Sequence, residues 1–223
     1  MSTQQKCPIW GTDAEYLVPL SSSGATVRSW RTDGEFRITA EAMDAVRLML
    51  PKGKALLTTW IVDQRRSGEI APFINDDAID RISTSRPLRF SQKKQRFFLL
   101  AQSRDFQPSS VFRISGVVDE QMKRDTGAIS AWTECQTDQD RSALLRLLKE
   151  EGLINFGGSN DVTLTSKGFE FLESLESGGA ALTHPLISEY ASDPLKVLAC
   201  ETAWAKAAIR GARRCSGMLG IRS

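Results

Sequence analysis

The 223 residues predict an α+β chain that is mostly helical, and three observations carry that expectation. Apolar residues recur at helical spacing in several separate stretches. Short runs alternate polar and apolar side chains, as half-buried strands do. Gly, Pro, Ser and Asn punctuate the intervals. Hydrophobic residues make up 41% and charged residues 25% of the chain, the ordinary balance of a globular protein. The expected organisation is a knuckle-like segment and linker at 1–34 and a helical region with short strands at 35–118. A second folded unit follows at 119–176, then a linker and a loosely structured basic helical tail at 177–223.

Taken in order, Cys7-Pro8-Ile9-Trp10-Gly11-Thr12 reads as a knuckle, with Pro and Gly bracketing a tight turn. Leu20-Ser21-Ser22-Ser23-Gly24 reads as a loop, and Glu35–Thr39 alternates as a strand. The Thr39 hydroxyl can cap a helix over Ala40–Leu50, which Pro51 ends. Lys54–Arg66 carries Leu56, Leu57, Trp60 and Ile61 at helical spacing and stops at Ser67-Gly68. After a loop containing Pro72, Asn75 or Asp76 caps a short helix reaching Ile82. Ser91–Ser103 is a further helix that buries Phe97, Phe98, Leu100 and Ala101, and Asp105–Ser110 breaks the chain. Val111–Val118 alternates as a strand, with Val111, Arg113, Ser115 and Val117 on one side.

From Asp138 the pattern is densest. Asp138 or Asp140 caps a helix from Arg141 to Glu151, whose apolar stripe is Leu144, Leu145, Leu147 and Leu148. Gly152 suits the left-handed residue that ends it. Leu153–Phe156 and Asp161–Thr165 are strands joined by a turn at Gly157-Gly158-Ser159-Asn160. Ser166 then caps a last helix carrying Phe169, Phe171, Leu172 and Leu175. Helix, strand, tight turn, strand and helix in this order form the second half of a winged helix-turn-helix, with the hairpin as wing.

The run Leu144–Ile154, followed by Thr163-Leu164-Thr165-Ser166-Lys167-Gly168, resembles the "helix, Gly-Leu-Ile, wing, Thr-x-x-Gly" pattern of prokaryotic winged-helix proteins. Cys7–Thr12 together with Leu57–Arg66 resembles the amino-terminal region of certain bacterial multidomain proteins. In those, a domain similar to TIR or nucleoside deoxyribosyltransferase folds follows the winged helix, an architecture that implies stress or phage-defence systems. The resemblance covers residues 7–176. Residues 178–223 hold no Rossmann-like strand, Gly-loop and helix series. A stand-alone form or a truncated remnant of a nucleotide-processing enzyme is therefore the expectation, and the larger proteins' activity is not carried over.

The chemistry-bearing residues point away from catalysis. His184, the single histidine, lies in Thr183-His184-Pro185 and reads as an exposed loop residue. Cys7 lacks a second knuckle cysteine because Trp10 occupies its place, so a metal-free knuckle is expected. Gly157-Gly158 is followed by no Lys-Ser/Thr, and the pairs Asp76/Asp77 and Glu150/Glu151 point apart on their helices. No catalytic residue, cofactor or metal site is expected.

DNA is the rival partner. A winged helix reads DNA through its second helix, here with Arg141, Arg146, Lys149 and Lys167 as the candidate contacts. Residues 134–176 nevertheless hold those four cations against nine acids, a balance of −5, which weakens attraction to phosphate. Positive charge lies instead in 81–104, with seven cations and no acid, and in 194–223, with six cations against Glu201. Each reads as a solvated face or as a surface docking on the acidic unit, with nucleic acid or another acidic partner as the alternative. In the tail, Asp193–Arg214 reads as a helix started by Asp193-Pro194.

No run is long and apolar enough to span a membrane, no secretory leader is legible, and the four cysteines form no CxxC pair. Free thiols in the cytoplasm follow. The leading expectation is a non-catalytic interaction or regulatory module built on a winged helix, whose partner is another protein or domain. A DNA-binding regulator is the alternative, and a homodimer stays open.

Overall fold

The computed structural model describes residues 5–21, 24–114, 119–157 and 161–177. His184, the tail helix at 193–214 and its basic residues, the centre of the 157–160 turn and positions 115–118 lie outside them.

The architecture is α+β. Strands β1 (Gln5–Lys6), β2 (Asp13–Ser21), β3 (Gly24–Ser29), β4 (Gly34–Ile38) and β5 (Phe73–Ile74) form one sheet in that spatial order. β1 through β4 pair antiparallel and β5 joins β4 in parallel. The tight turn expected at Cys7–Thr12 joins β1 to β2, and much of the linker expected after it is strand, β2 and β3. Helices α1 (Ala40–Leu48), α2 (Pro51–Arg66) and α3 (Asp76–Ser83) pack with it. Thr39 caps α1, its Oγ1 accepting from the Ala42 amide at 3.1 Å, and Asn75 caps α3 in the same way at 3.0 Å. Pro51 opens α2 at a first-turn position, where its missing amide proton costs nothing, so this helix starts a turn before Lys54.

The remaining helices are α4 (Phe90–Ser103), α5 (Glu120–Trp132), α6 (Asp138–Glu150) and α7 (Ser166–Ser177). A two-stranded ribbon, β6 (Ile154–Phe156) and β7 (Val162–Leu164), lies between the last two. In the segment read as a strand from Val111, the described part makes a single antiparallel bridge. Phe112 and Val162 exchange both amide bonds at 2.9 Å.

Two clusters form the core. Val27, Phe36, Ile38, Leu57, Ile61 and Ile74 lie between the sheet and α1–α3. Phe97, Phe98, Phe112, Ile129, Leu145, Leu148 and Ile154 lie among α4–α7 and the ribbon. The joint between them is close: a Cβ on Gly127 of α5 would collide with the Trp30 carbonyl and ring, so only glycine fits there.

Candidate functional site

Helix α6 is held from both ends. At its start the cap is Thr137, not Asp138 or Asp140: Thr137 Oγ1 accepts from the Asp140 amide at 3.1 Å. Asp140 returns the bond by accepting from the Thr137 amide at 3.0 Å, a reciprocal capping box. Leu144, Leu145 and Leu148 face inward, each burial contributing roughly 1.5–3 kcal/mol. Leu147, expected in that stripe, is instead 43% exposed, because it lies about 100° round the helix from Leu148.

The far end explains the Gly-Leu-Ile and Thr-x-x-Gly pattern. Gly152 takes the left-handed conformation at φ +74°. The carbonyls of the turn that follows α6 then find donors on the β7–α7 junction. Thr165 Oγ1 donates to Gly152 O at 2.6 Å, Lys167 Nζ to Glu151 O at 2.7 Å, and the Thr165 amide to Leu153 O at 3.1 Å. Gly168 packs so closely on the Leu153 carbonyl that a Cβ would not fit. Thr165, not Ser166, caps α7 by accepting from the Gly168 amide at 3.1 Å.

This scaffold separates the four candidate cations. The Arg141 side chain, only 12% exposed, donates to Asp138 at 2.8 Å and to Ser130 Oγ at 3.3 Å. Lys167 is spent on the Glu151 carbonyl. Lys149 lies 5.0 Å from the Phe156 ring centroid, over the ribbon. Arg146 is exposed and makes no hydrogen bond or ion pair among the described residues. Arg146 and Lys149 stand one turn apart; Arg141 is drawn into the fold, and Lys167, though exposed, is held on a backbone carbonyl. The exposed surface of α6 therefore combines Ser142, Ala143, Arg146 and Leu147 with the acids Asp138, Asp140 and Glu150.

Four of the seven cations of the +7 segment are held internally, while Arg81, Arg86 and Arg89 are exposed. Lys94 pairs with Glu151 at 2.8 Å, and Lys93 donates to Glu134 O at 3.2 Å. Arg96, 7% exposed, forks onto Asp63 and also reaches Trp132 O at 3.3 Å. Arg104 binds Asp125 at 2.5 Å and Asp33 at 3.6 Å. Lys93 and Lys94 contact the acidic 134–176 segment, whereas Arg96 and Arg104 bind Asp63, Asp33 and Asp125 outside it.

A second concave feature was not legible in the sequence. An open groove of about 790 Å³ is lined by Asp13, Glu15, Arg28, Trp30, Asp33, Glu120 and Arg124, among others. Its carboxylates are paired: Asp13 with Lys6, Glu15 with Arg28, Asp33 with Arg104 and Glu120 with Lys123. These pairs leave no poised acid–base couple in it. A strong electrostatic perturbation lies elsewhere, at Arg31, whose pKa burial first and the neighbouring Arg141 second lower to about 10. Among the described residues no group of three or more His, Cys, Asp or Glu is placed to hold a metal, and no helix is long and apolar enough to cross a membrane. No protein-family model, no curated protein and no solved structure matches the chain.

Proposed function

We propose that residues 90–177 are a winged helix acting as a non-catalytic interaction or regulatory module, and that the outer face of α6 meets another protein rather than DNA. Support for the winged helix is the element order: α4, a strand-like bridge at Phe112 pairing with β7, then α5, α6, ribbon and α7. In such a unit α6 takes the position of the recognition helix.

The observation that carries the choice of partner is the withdrawal of two of the four candidate cations. Arg141 and Lys167 satisfy the fold's own oxygens, leaving Arg146 and Lys149 beside Asp138, Asp140 and Glu150. With the Arg141–Asp138 pair set aside, Arg146 and Lys149 are matched by Asp140 and Glu150, a balance that gives little phosphate affinity. An exposed leucine, Leu147, on the flank of the face suits a protein contact instead. Absence of catalysis is supported by the pairing of the groove's carboxylates. A cytoplasmic setting is supported by the free, buried thiols of Cys7 and Cys135.

A photo-crosslinking residue at position 147, activated in cells, tests this directly. The expected product is a discrete adduct sensitive to protease and indifferent to nuclease, missing when the crosslinker sits at the exposed Asp44 instead. A nuclease-sensitive adduct, or the same products from both positions, overturns the reading.

A further inference from the structure

Two loops of the sheet are built to one plan. The ladder pair Lys6↔Asp13 brackets residues 7–12, and the pair Arg28↔Glu35 brackets residues 29–34. Position by position, Cys7 corresponds to Ser29, Trp10 to Thr32 and Gly11 to Asp33. The last two both take the left-handed conformation, at φ +66° and +53°. Each loop also closes on its first residue. The Gly11 amide donates to Cys7 O at 2.8 Å, and Ser29 Oγ accepts from the Arg31 amide at 3.3 Å. The loops face each other, since Arg31 of the second lies over the Trp10 ring of the first. Cys7, Ser29 and Thr32 are all at most 2% exposed.

A pair of x-x-spaced loops, each closing on its first residue and ending in a left-handed residue, is the framework on which four thiolates hold a tetrahedral zinc. We infer that positions 7, 10, 29 and 32 of this chain are the four corners of a zinc-ribbon site of which Cys7 alone retains a ligand. The remaining three do not fit a metal, because indole and neutral hydroxyls supply neither thiolate nor imidazole. The centre is closed by other means. Thr32 Oγ1 donates to Ser29 O at 3.0 Å, and the Arg31 guanidinium lies 4.2 Å over the Trp10 ring. Arg31 also donates to Cys135 O at 2.6 Å, tying the second loop to the end of α5.

The triple variant W10C/S29C/T32C, produced with zinc, is the test. Its four thiols should release their protons on binding, giving one zinc per chain by elemental analysis. Cobalt in place of zinc should give the absorption of a tetrahedral thiolate centre, and wild type and W10C should take up neither. A folded triple variant with no more metal than wild type overturns the inference. Should the triple variant fail to fold, S29C alone decides. Diamide should take two hydrogens, one from the Cys7 thiol and one from the thiol introduced by S29C, joining the two sulfurs in a disulfide that peptide mapping assigns. An unlinked pair in folded protein overturns the inference equally.

Discussion

The two halves of the core are sealed differently. The sheet half is aliphatic, with Val27, Ile38, Leu57, Ile61 and Ile74 against one buried ring, Phe36. The helical half is built on rings: Phe97 meets Phe98 and Phe112 at 5.5 Å, Phe98 meets Phe171 at 4.8 Å, and Phe106 stacks on Phe112 at 4.6 Å. Between them runs a polar seam. Asp33, in the left-handed position after the second loop, accepts from Trp132 Nε1 at 2.8 Å and faces Arg104, which also grips the buried Asp125. Apolar burial drives each half but is non-directional. The charged seam, with its fixed bond directions, sets how they meet.

Breaking that seam should cost most. Asp125, whose side chain is 1% exposed, accepts from Arg104, from Gln121 Nε2 at 2.9 Å and from the Arg113 amide at 2.8 Å. Asp125→Ala leaves those donors without an acceptor and should destabilise by about 3–5 kcal/mol in urea denaturation. A loss under about 1 kcal/mol would mean that the seam is ornamental. Next comes Gly127→Val, which forces α5 away from Trp30 and should cost roughly 1–3 kcal/mol by overpacking. Both changes should shift a single cooperative transition; two separate transitions would show the halves to be independent.

Smaller effects sharpen the contrast by touching the helical half alone. Thr165→Ala removes the α7 cap and the donor to Gly152 O, and about 1 kcal/mol should be lost in thermal denaturation. The smallest change is pH-dependent. Burial raises the Glu134 carboxyl, more than the Leu88 amide and nearby cations offset. A raised carboxyl binds its proton more tightly when folded, so its ionisation costs stability as pH rises through the folded value. Glu134→Gln keeps an acceptor for the Leu88 amide, which Glu134 now serves at 3.1 Å. Relative to this variant, wild type should gain stability as pH falls from neutral into the carboxyl range; an unchanged difference across that range would contradict the burial argument.

Legibility followed the range of the contacts. α6, the ribbon and α7 could be read because their caps, turn residues and leucines are close in sequence and act on one another. β2 could not. Its register shifts between Tyr16 and Val18 and again before Ser21, which breaks the two-residue period, and Leu17 and Val18 are exposed. α5 was equally hidden, because it buries Asp125, Thr126, Gly127 and Ser130, residues that no hydrophobic periodicity marks. Asp33 finds Trp132 across 99 residues, a distance over which spacing carries no signal. The four cations looked equivalent on paper. Only the carbonyls and carboxylates around Arg141 and Lys167 distinguish them from Arg146 and Lys149.

The protein-facing reading of α6 is tested most directly by the salt dependence of duplex-DNA affinity, measured by fluorescence anisotropy. Wild type is compared with R141Q/R146Q/K149Q/K167Q, so that cations elsewhere in the chain contribute equally to both. Identical slopes of log affinity against log salt are expected. A variant slope shallower by about 3–4, the loss of roughly four phosphate contacts, would place α6 on DNA and contradict the protein-facing assignment.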